Sequence, residues 1–411
     1  MERRAFLIPL TAWAPLGAAI FAAQVACIAA FLRPGWKGMV RATAAYLVAD
    51  LVLVALVRAC ASVMGRMEYL ETVVAWRVWF LVLCFLLAPA AIALWWLAGR
   101  LARRRRRRRW GRPRLIGRSL VTATASWVAA VAITLAIGGE FSFRPRPARI
   151  TPVEVRLAAL PRELDGLRLA LIADHQIGGE LMTPARAGRR LESLGKVDFD
   201  LLMELGDITT LRPAYQEAAV EVVTRRLGPL GSYAVAGNFD QACGTDSLGE
   251  LLEERGVTFL YNEAARVSVR GTDLWLAGVG DPCTKHADLD RALAGAPEGA
   301  VMVLLAHSPD IIEEAVARGI PLVLSGHMHG GQVVAPFAGP VMGMSRYGTR
   351  FSGGHYQIGD TQLVVSRGLG EETIPLRLFC PAEIVLVTLR AGEKGGRTAR
   401  ISSQNRGGIV E

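Results

Sequence analysis

The sequence predicts an all-α membrane-spanning region of about four helices, followed by a layered α/β domain. Three observations predict it. At 411 residues the chain is too long for one compact core. Near residue 145 long apolar stretches give way to short apolar runs set among Gly, Pro and charge. Beyond residue 150 those short runs alternate with helical stretches, the pattern of an α/β layered domain.

The first region, 1–145, is read as follows. Residues 5–32 form a stretch of 28 residues without charge, and about 20 apolar residues suffice to cross the hydrocarbon core. Residues 78–99 and 119–139 also qualify. Residues 42–57 are shorter and contain Asp50, which makes them the weakest of the four. The first stretch exceeds a signal-peptide core and has no convincing cleavage site, so it is expected to be retained. Between the last two spans, residues 100–118 carry eleven Arg and no acid, and without them the net charge of +10 becomes −1. A basic chain suggests nucleic acid, but this basicity is confined to one loop, so no nucleic-acid partner is expected. An Arg-rich loop between apolar spans sets orientation and stays cytoplasmic. The expected location is therefore the inner cell membrane, multi-pass, with everything after 139 outside the cytoplasm. Six Cys are split between the two regions without a CxxC pair, so no disulfide framework is expected.

In the second region, 146–390, apolar runs occur at 168–174, 199–207, 233–238, 273–280, 300–307 and 322–327. Two more, 361–368 and 383–389, close it. Their near-continuous apolarity suits strands buried on both faces. Between them, 183–195 opens with Thr183 and Pro184, a cap and a first-turn proline. Residues 213–228, 246–256 and 309–319 each end in Gly, the usual helix stop. The tail, 391–411, is polar and Gly-rich and is expected to be flexible.

The polar residues fall at one place in each unit. Asp174, Asp207, Asn238, His307 and His327 all end an apolar run. Ligands gather outside the carboxyl ends of strands in open α/β sheets, so these five groups are expected to converge. All six His lie beyond residue 150. The segment LSGHMHGGQV (324–333) is the most specific, because His327 and His329 lie two apart and project the same way if the segment is extended.

These segments resemble the calcineurin-like metallophosphoesterases, in their membrane-anchored bacterial branch. The family order is Asp-x-His, Gly-Asp, Gly-Asn-His-Asp/Glu, a lone His and Gly-His-x-His. Here it reads ADHQ (173–176), GD (206–207), GNFD (237–240), AHSPD (306–310) and GHMH (326–329). The likeness continues through GDTQLVVSRGLG (359–370) and PLRLFCPAEI (375–384), and leaves out the membrane spans. It implies a four-layer sandwich of two mixed sheets flanked by helices. It also implies two metal sites bridged by Asp207: one with Asp174, His329 and the residue at 176, the other with Asn238, His307 and His327. Asp207, Asn238 and His327 would be central to catalysis. Mixed oxygen and imidazole ligands suit Mn, Fe or Zn. Arg367 or Arg377, in the matching C-terminal segments, would pair with the phosphate.

Two positions depart from that pattern. Gln176 replaces a ligand His, so the first ion should be held weakly. His175 is adjacent but should point away from Asp174 on an extended strand. Phe239 replaces the His that acts on the leaving group, and it cannot hold a proton. Three states therefore fit: a slow or redirected phosphoesterase, a catalytically impaired protein that still binds metal and phosphate, or a scaffold. Location alone suggests a lipid-linked or envelope phosphoester as substrate.

Overall fold

The computed structural model describes residues 138–141, 144–178, 182–335, 339–340, 343–372 and 376–392. The spans expected at 5–32, 42–57 and 78–99, the Arg-rich loop and nearly all of 119–139 lie outside the described residues, as does the tail beyond 392. Among the described residues no helix is long and apolar enough to cross a membrane.

In chain order the strands begin with β1 (Gly139–Phe141), β2 (Arg149–Leu157), β3 (Arg168–Ile172), β4 (Leu201–Glu204), β5 (Ser232–Ala234) and β6 (Thr258–Phe259). They continue with β7 (Glu263–Val269), β8 (Thr272–Gly278), β9 (Met302–Leu305), β10 (Leu322–Ser325), β11 (Val334–Ala335) and β12 (Gly339–Pro340). The last four are β13 (Gly354–Ile358), β14 (Thr361–Val365), β15 (Leu376–Leu378) and β16 (Glu383–Ala391). Two six-stranded sheets result, ordered β2-β16-β3-β4-β5-β6 and β13-β14-β10-β9-β8-β7. Both are mixed: β16 runs parallel to β2 and antiparallel to β3, and β14 runs parallel to β10 and antiparallel to β13.

Period-two alternation builds the layers. Leu169 and Leu171 of β3 enter an apolar core shared with Leu274, Leu276, Val303 and Leu305 of the other sheet. Their neighbours Ala170 and Ile172 face the opposite way, into a core shared with helical residues Ala187, Val220 and Leu252. On the far side Leu304 and Val323 pack with Leu289, Ala292, Ile312 and Ala315. The order helix, sheet, sheet, helix is thus written in the three cores, as the resemblance implied.

The helices are α1 (Pro184–Leu191), α2 (Gln216–Val223), α3 (Asn238–Cys243), α4 (Thr245–Glu254), α5 (Leu289–Leu293) and α6 (Ile312–Ala317). Thr183 caps α1 by accepting from the Arg186 N–H, with Pro184 at its first position. Three helices are shorter than their sequence patterns because a turn of 3-10 helix occupies one end, at Leu194–Lys196, Pro213–Tyr215 and Pro309–Ile311.

Arg190 is fully buried on α1. Its guanidinium pairs with the buried Glu371, and its Nη1 lies 2.8 Å from Glu140 of β1. Arg190→Ala should lower stability by about 3–5 kcal/mol, because it strands carboxylates that have lost their counter-charge. Equilibrium urea unfolding followed by pulse proteolysis reads this directly, and a loss under about 1 kcal/mol contradicts it.

Candidate metal centre

Every expected ligand sits just past the carboxyl end of a strand. Asp174 follows β3, Asp207 follows β4 and Asn238 opens α3 after β5. From the second sheet, His307 follows β9 and His327 follows β10. One edge of both sheets therefore carries the cluster. Close packing of the loops explains the glycines. A Cβ on Gly206 would lie 2.5 Å from Gly237 N, and one on Gly237 would lie 2.1 Å from Asp207 Oδ1. Gly237 has φ −92°, open to any residue, so the restriction at that position is purely steric. Gly237→Ala should push Asp207 aside, cost about 1–3 kcal/mol and deplete bound metal. A thermal melt with elemental analysis of the same sample checks both, and full metal content in a stable variant counts against the geometry.

Five members of the cluster have left-handed backbone: Asp174 (φ 54°), Gln176 (55°), Asp207 (55°), His327 (70°) and His329 (46°). Such conformations cost an L-residue about 1–3 kcal/mol and gather at functional sites. They also correct the expectation of an extended GHMH segment, since His329 begins a short 3-10 turn and faces the centre by that route.

The imidazoles are oriented from behind. His307 Nδ1 lies 2.7 Å from the Leu205 carbonyl, and His327 Nε2 lies 3.2 Å from the Met344 carbonyl. A carbonyl only accepts, so each of those nitrogens carries the proton. The inner nitrogens, His307 Nε2 and His327 Nδ1, are then 3.3 Å apart. Asn238 Oδ1 is 3.2 Å and Asp207 Oδ2 3.4 Å from His307 Nε2. Four groups rich in lone pairs converge with nothing to donate between them unless a cation, proton or metal, joins them. Ligand atoms of Asp174, Asp207 and His307 also lie within 4.8 Å of one another.

The electrostatics follow from burial. Burial acts to raise the Asp207 carboxyl, but His307, His327 and the Phe239 N–H outweigh it and hold it below the usual range. Burial would lower His307, yet Asp207 holds its pKa well above the ordinary value. Burial and the nearby His307 lower His327. Asp174 is pushed up to about 7 by burial, against the pull of His307 and with a push from Asp207; both its oxygens accept from the His327 N–H, at 2.9 and 3.1 Å. His329, lowered to about 3 by burial and Arg377, stays neutral, the form that ligates a metal. Its Nε2 is buried without a hydrogen-bond partner, 3.9 Å from Asp174 Oδ1.

The structure also shows how the departures from the family pattern fit. Gln176 Nε2 donates to Asp207 Oδ2 at 2.8 Å, so its amide nitrogen faces the carboxylate that the resemblance places between the ions. His175 points away, as expected, and its Nε2 meets Glu204 Oε2 at 2.7 Å in a buried pair. Phe239 is buried and joins none of the three apolar cores. Asp240 is pushed up to about 7 by burial and by Asp207. Its carboxyl accepts from the backbone N–H groups of Gly237, Ile208 and Thr209, tying the loop after β4 to the start of α3.

Arg377 corrects an expectation. It is fully buried, and its guanidinium donates to the carbonyls of Gly370 and His329 rather than facing a phosphate. Sequence reading missed two groups. Asp281, buried three residues past β8, has one oxygen without a hydrogen-bond partner, and its charge favours protonated His307 and His327. It ends an apolar run, GVGD, as Asp174 and Asp207 do. Glu204 is a lone acid inside the apolar run LLMEL, which was its signal.

The chain is 27% identical over 265 residues to an uncharacterized metallophosphoesterase of Bacillus subtilis, covering 62% of this chain and 92% of that protein. It is 31% identical over 263 residues to a transmembrane protein with metallophosphoesterase domain of Bos taurus. The chain is thus similar in sequence to proteins named metallophosphoesterases. The match to the Bos taurus protein covers 60% of this chain and 58% of that one, so the chain spans under two thirds of that relative's length. A phosphodiesterase of Escherichia coli is 28% identical over 202 residues, 46% of this chain and 70% of its own length. No family model matches. Among solved structures, a 5'-nucleotidase precursor of Thermus thermophilus aligns with TM-score 0.34 and 15% identity over 54% of each chain.

Proposed function

We propose that the chain is a membrane-anchored, metal-dependent phosphoesterase with low or redirected activity. In this reading its C-terminal domain works outside the cytoplasm. The observation that carries the chemistry is the pair of imidazoles fixed from behind, with lone pairs on His307 and His327 meeting Asn238 Oδ1 and Asp207 Oδ2. Those four residues would hold one divalent ion tightly, Mn, Fe or Zn by ligand type. Asp174, His329 and Gln176 would hold a second weakly, since the Gln176 amide already takes a lone pair of Asp207. A divalent ion supplies Lewis acidity to a phosphoryl oxygen and lowers the pKa of water.

The chain's own residues set the limits of the reaction. Asp207 is oriented by the Phe239 N–H of the β5 loop, and Asn238 Oδ1 meets His307 Nε2. Phe239 offers no proton where a leaving group would need one, so esters with stable leaving groups should be favoured. Membrane anchoring rests on the apolar stretches and the Arg-rich loop, and on relatives whose names place the domain in transmembrane proteins. A lipid-linked or envelope phosphoester follows from that location. The second reading, binding without turnover, is favoured by Phe239 and Gln176 together. Full-length protein in detergent should carry about one tight metal per chain by elemental analysis. With Mn it should hydrolyse an activated aryl phosphate above a chelated control. Metal without turnover selects the binding reading, and no metal removes both.

A further inference from the structure

A cavity of about 160 Å³ opens beside the turn that carries His329, lined by Arg149, Arg367, Gly330, Gly353, Ser352 and Phe379 among others. That is well above the ~10–15 Å³ that a single water needs. No acid lines it among the described residues. Arg149 is exposed and has no ion-pair partner among them. Arg367 is held in place. A Cβ on Gly330 would come within 2.9 Å of Arg367 Cγ, and one on Gly353 within 2.7 Å, so two glycines make room for its stem. Its backbone N–H donates to Glu383 Oε1 at 3.0 Å, and its Nη1 lies 3.6 Å from Glu383 Oε2. Glu383 is buried and accepts from Thr151. One guanidinium is thus aimed by a buried carboxylate, and a second stands beside it uncompensated. This is the arrangement that recognises a phosphate.

The rim suggests where that phosphate resides. Phe379 is one of three exposed large hydrophobics among the described residues, and it is held at φ 52°. Its N–H donates to the carbonyl of Gly138, within the last stretch read as a membrane span. An exposed apolar side chain next to two cations suits an anionic headgroup region.

We propose that the Arg149–Arg367 cavity is an anion site, separate from the metal centre, that takes the phosphate group of a phosphoester. The placement at a membrane surface rests on the spanning reading of 119–139; the cavity's chemistry does not. The test uses the full chain in neutral detergent with chelator, so that metal-bound phosphate makes no contribution. Binding is titrated with phosphatidylglycerol in mixed micelles, with diacylglycerol lacking the phosphate, and with inorganic phosphate. Arg149→Gln is the principal variant because it breaks no ion pair among the described residues. Arg367→Lys keeps the charge near Glu383 while losing the fork. Each should weaken phosphate-dependent binding about tenfold, the loss expected for one charge-assisted hydrogen bond. A loss confined to phosphatidylglycerol over diacylglycerol identifies a lipid headgroup as the source, and the same loss for inorganic phosphate identifies a soluble phosphoester. The proposal is overturned if both variants bind every probe as the parent does, or if phosphatidylglycerol and diacylglycerol bind alike and inorganic phosphate does not bind. None of these outcomes depends on turnover at the metal centre.

Discussion

Asp207→Ala should bring the tightly bound metal to near zero and lower hydrolysis of an activated aryl phosphate by about a thousandfold. The size follows from the several kcal/mol that a metal clamp contributes to transition-state charge, at about 1.36 kcal/mol per tenfold. The position is critical because one carboxylate does three tasks. Its Oδ1 accepts the Phe239 N–H at 2.9 Å, its Oδ2 accepts from Gln176, and Oδ2 also faces His307 Nε2 at 3.4 Å. Losing it also removes the charge that holds a proton on His307 in the metal-free protein. Asp207→Asn separates these roles. It keeps an acceptor for Phe239, so the fold should survive, while the negative charge is lost and metal with it. Elemental analysis, circular dichroism and the aryl phosphate rate on the same preparations decide the matter. A folded Asp207→Asn protein that keeps full metal content refutes the proposed ligand set.

Much of this was legible in the sequence because strand burial and strand ends leave local marks. The run RLALIAD places β3 to within two residues, since both faces of that strand are buried and apolar. The edge strand β2 was not recognised. It contains Pro152 and alternates charged with apolar residues, and only pairing with β16 over nine residues makes it a strand. Asp174, Asp207, Asn238, His307 and His327 were legible as strand-end residues because position along the chain fixes position on the sheet edge. What the sequence withholds is which atoms face each other. Arg377 looked like a phosphate ligand, yet carbonyls from two distant turns enclose it. The carbonyls of Leu205 and Met344 decide the imidazole tautomers, and no side-chain motif records them. Asp240, the acid of GNFD, accepts from three backbone amides, and this explains how the loop stays formed with Phe beside it.

That role of Asp240 also bounds the effect of Phe239→His. General acid catalysis is typically worth ~10²–10⁴-fold, and an alkyl phosphoester, whose leaving group needs a proton, should respond most. The backbone at 239 is already fixed by its N–H bond to Asp207, and the present ring lies against no apolar core whose packing the imidazole would disrupt. The new imidazole would nevertheless compete with Gly237, Ile208 and Thr209 for the Asp240 carboxyl. A gain near the lower end, about 10²-fold in kcat/KM for the alkyl ester, is therefore expected. Hydrolysis of an activated aryl ester should change by less than about threefold, because its leaving group departs unprotonated. The ratio of the two rates across roughly pH 5–9 is the measurement, since a working imidazole adds a descending limb to the alkyl-ester profile alone. Equal gains on both substrates would point to altered metal binding, and no gain on either would show that the missing leaving-group proton is not what limits the alkyl ester.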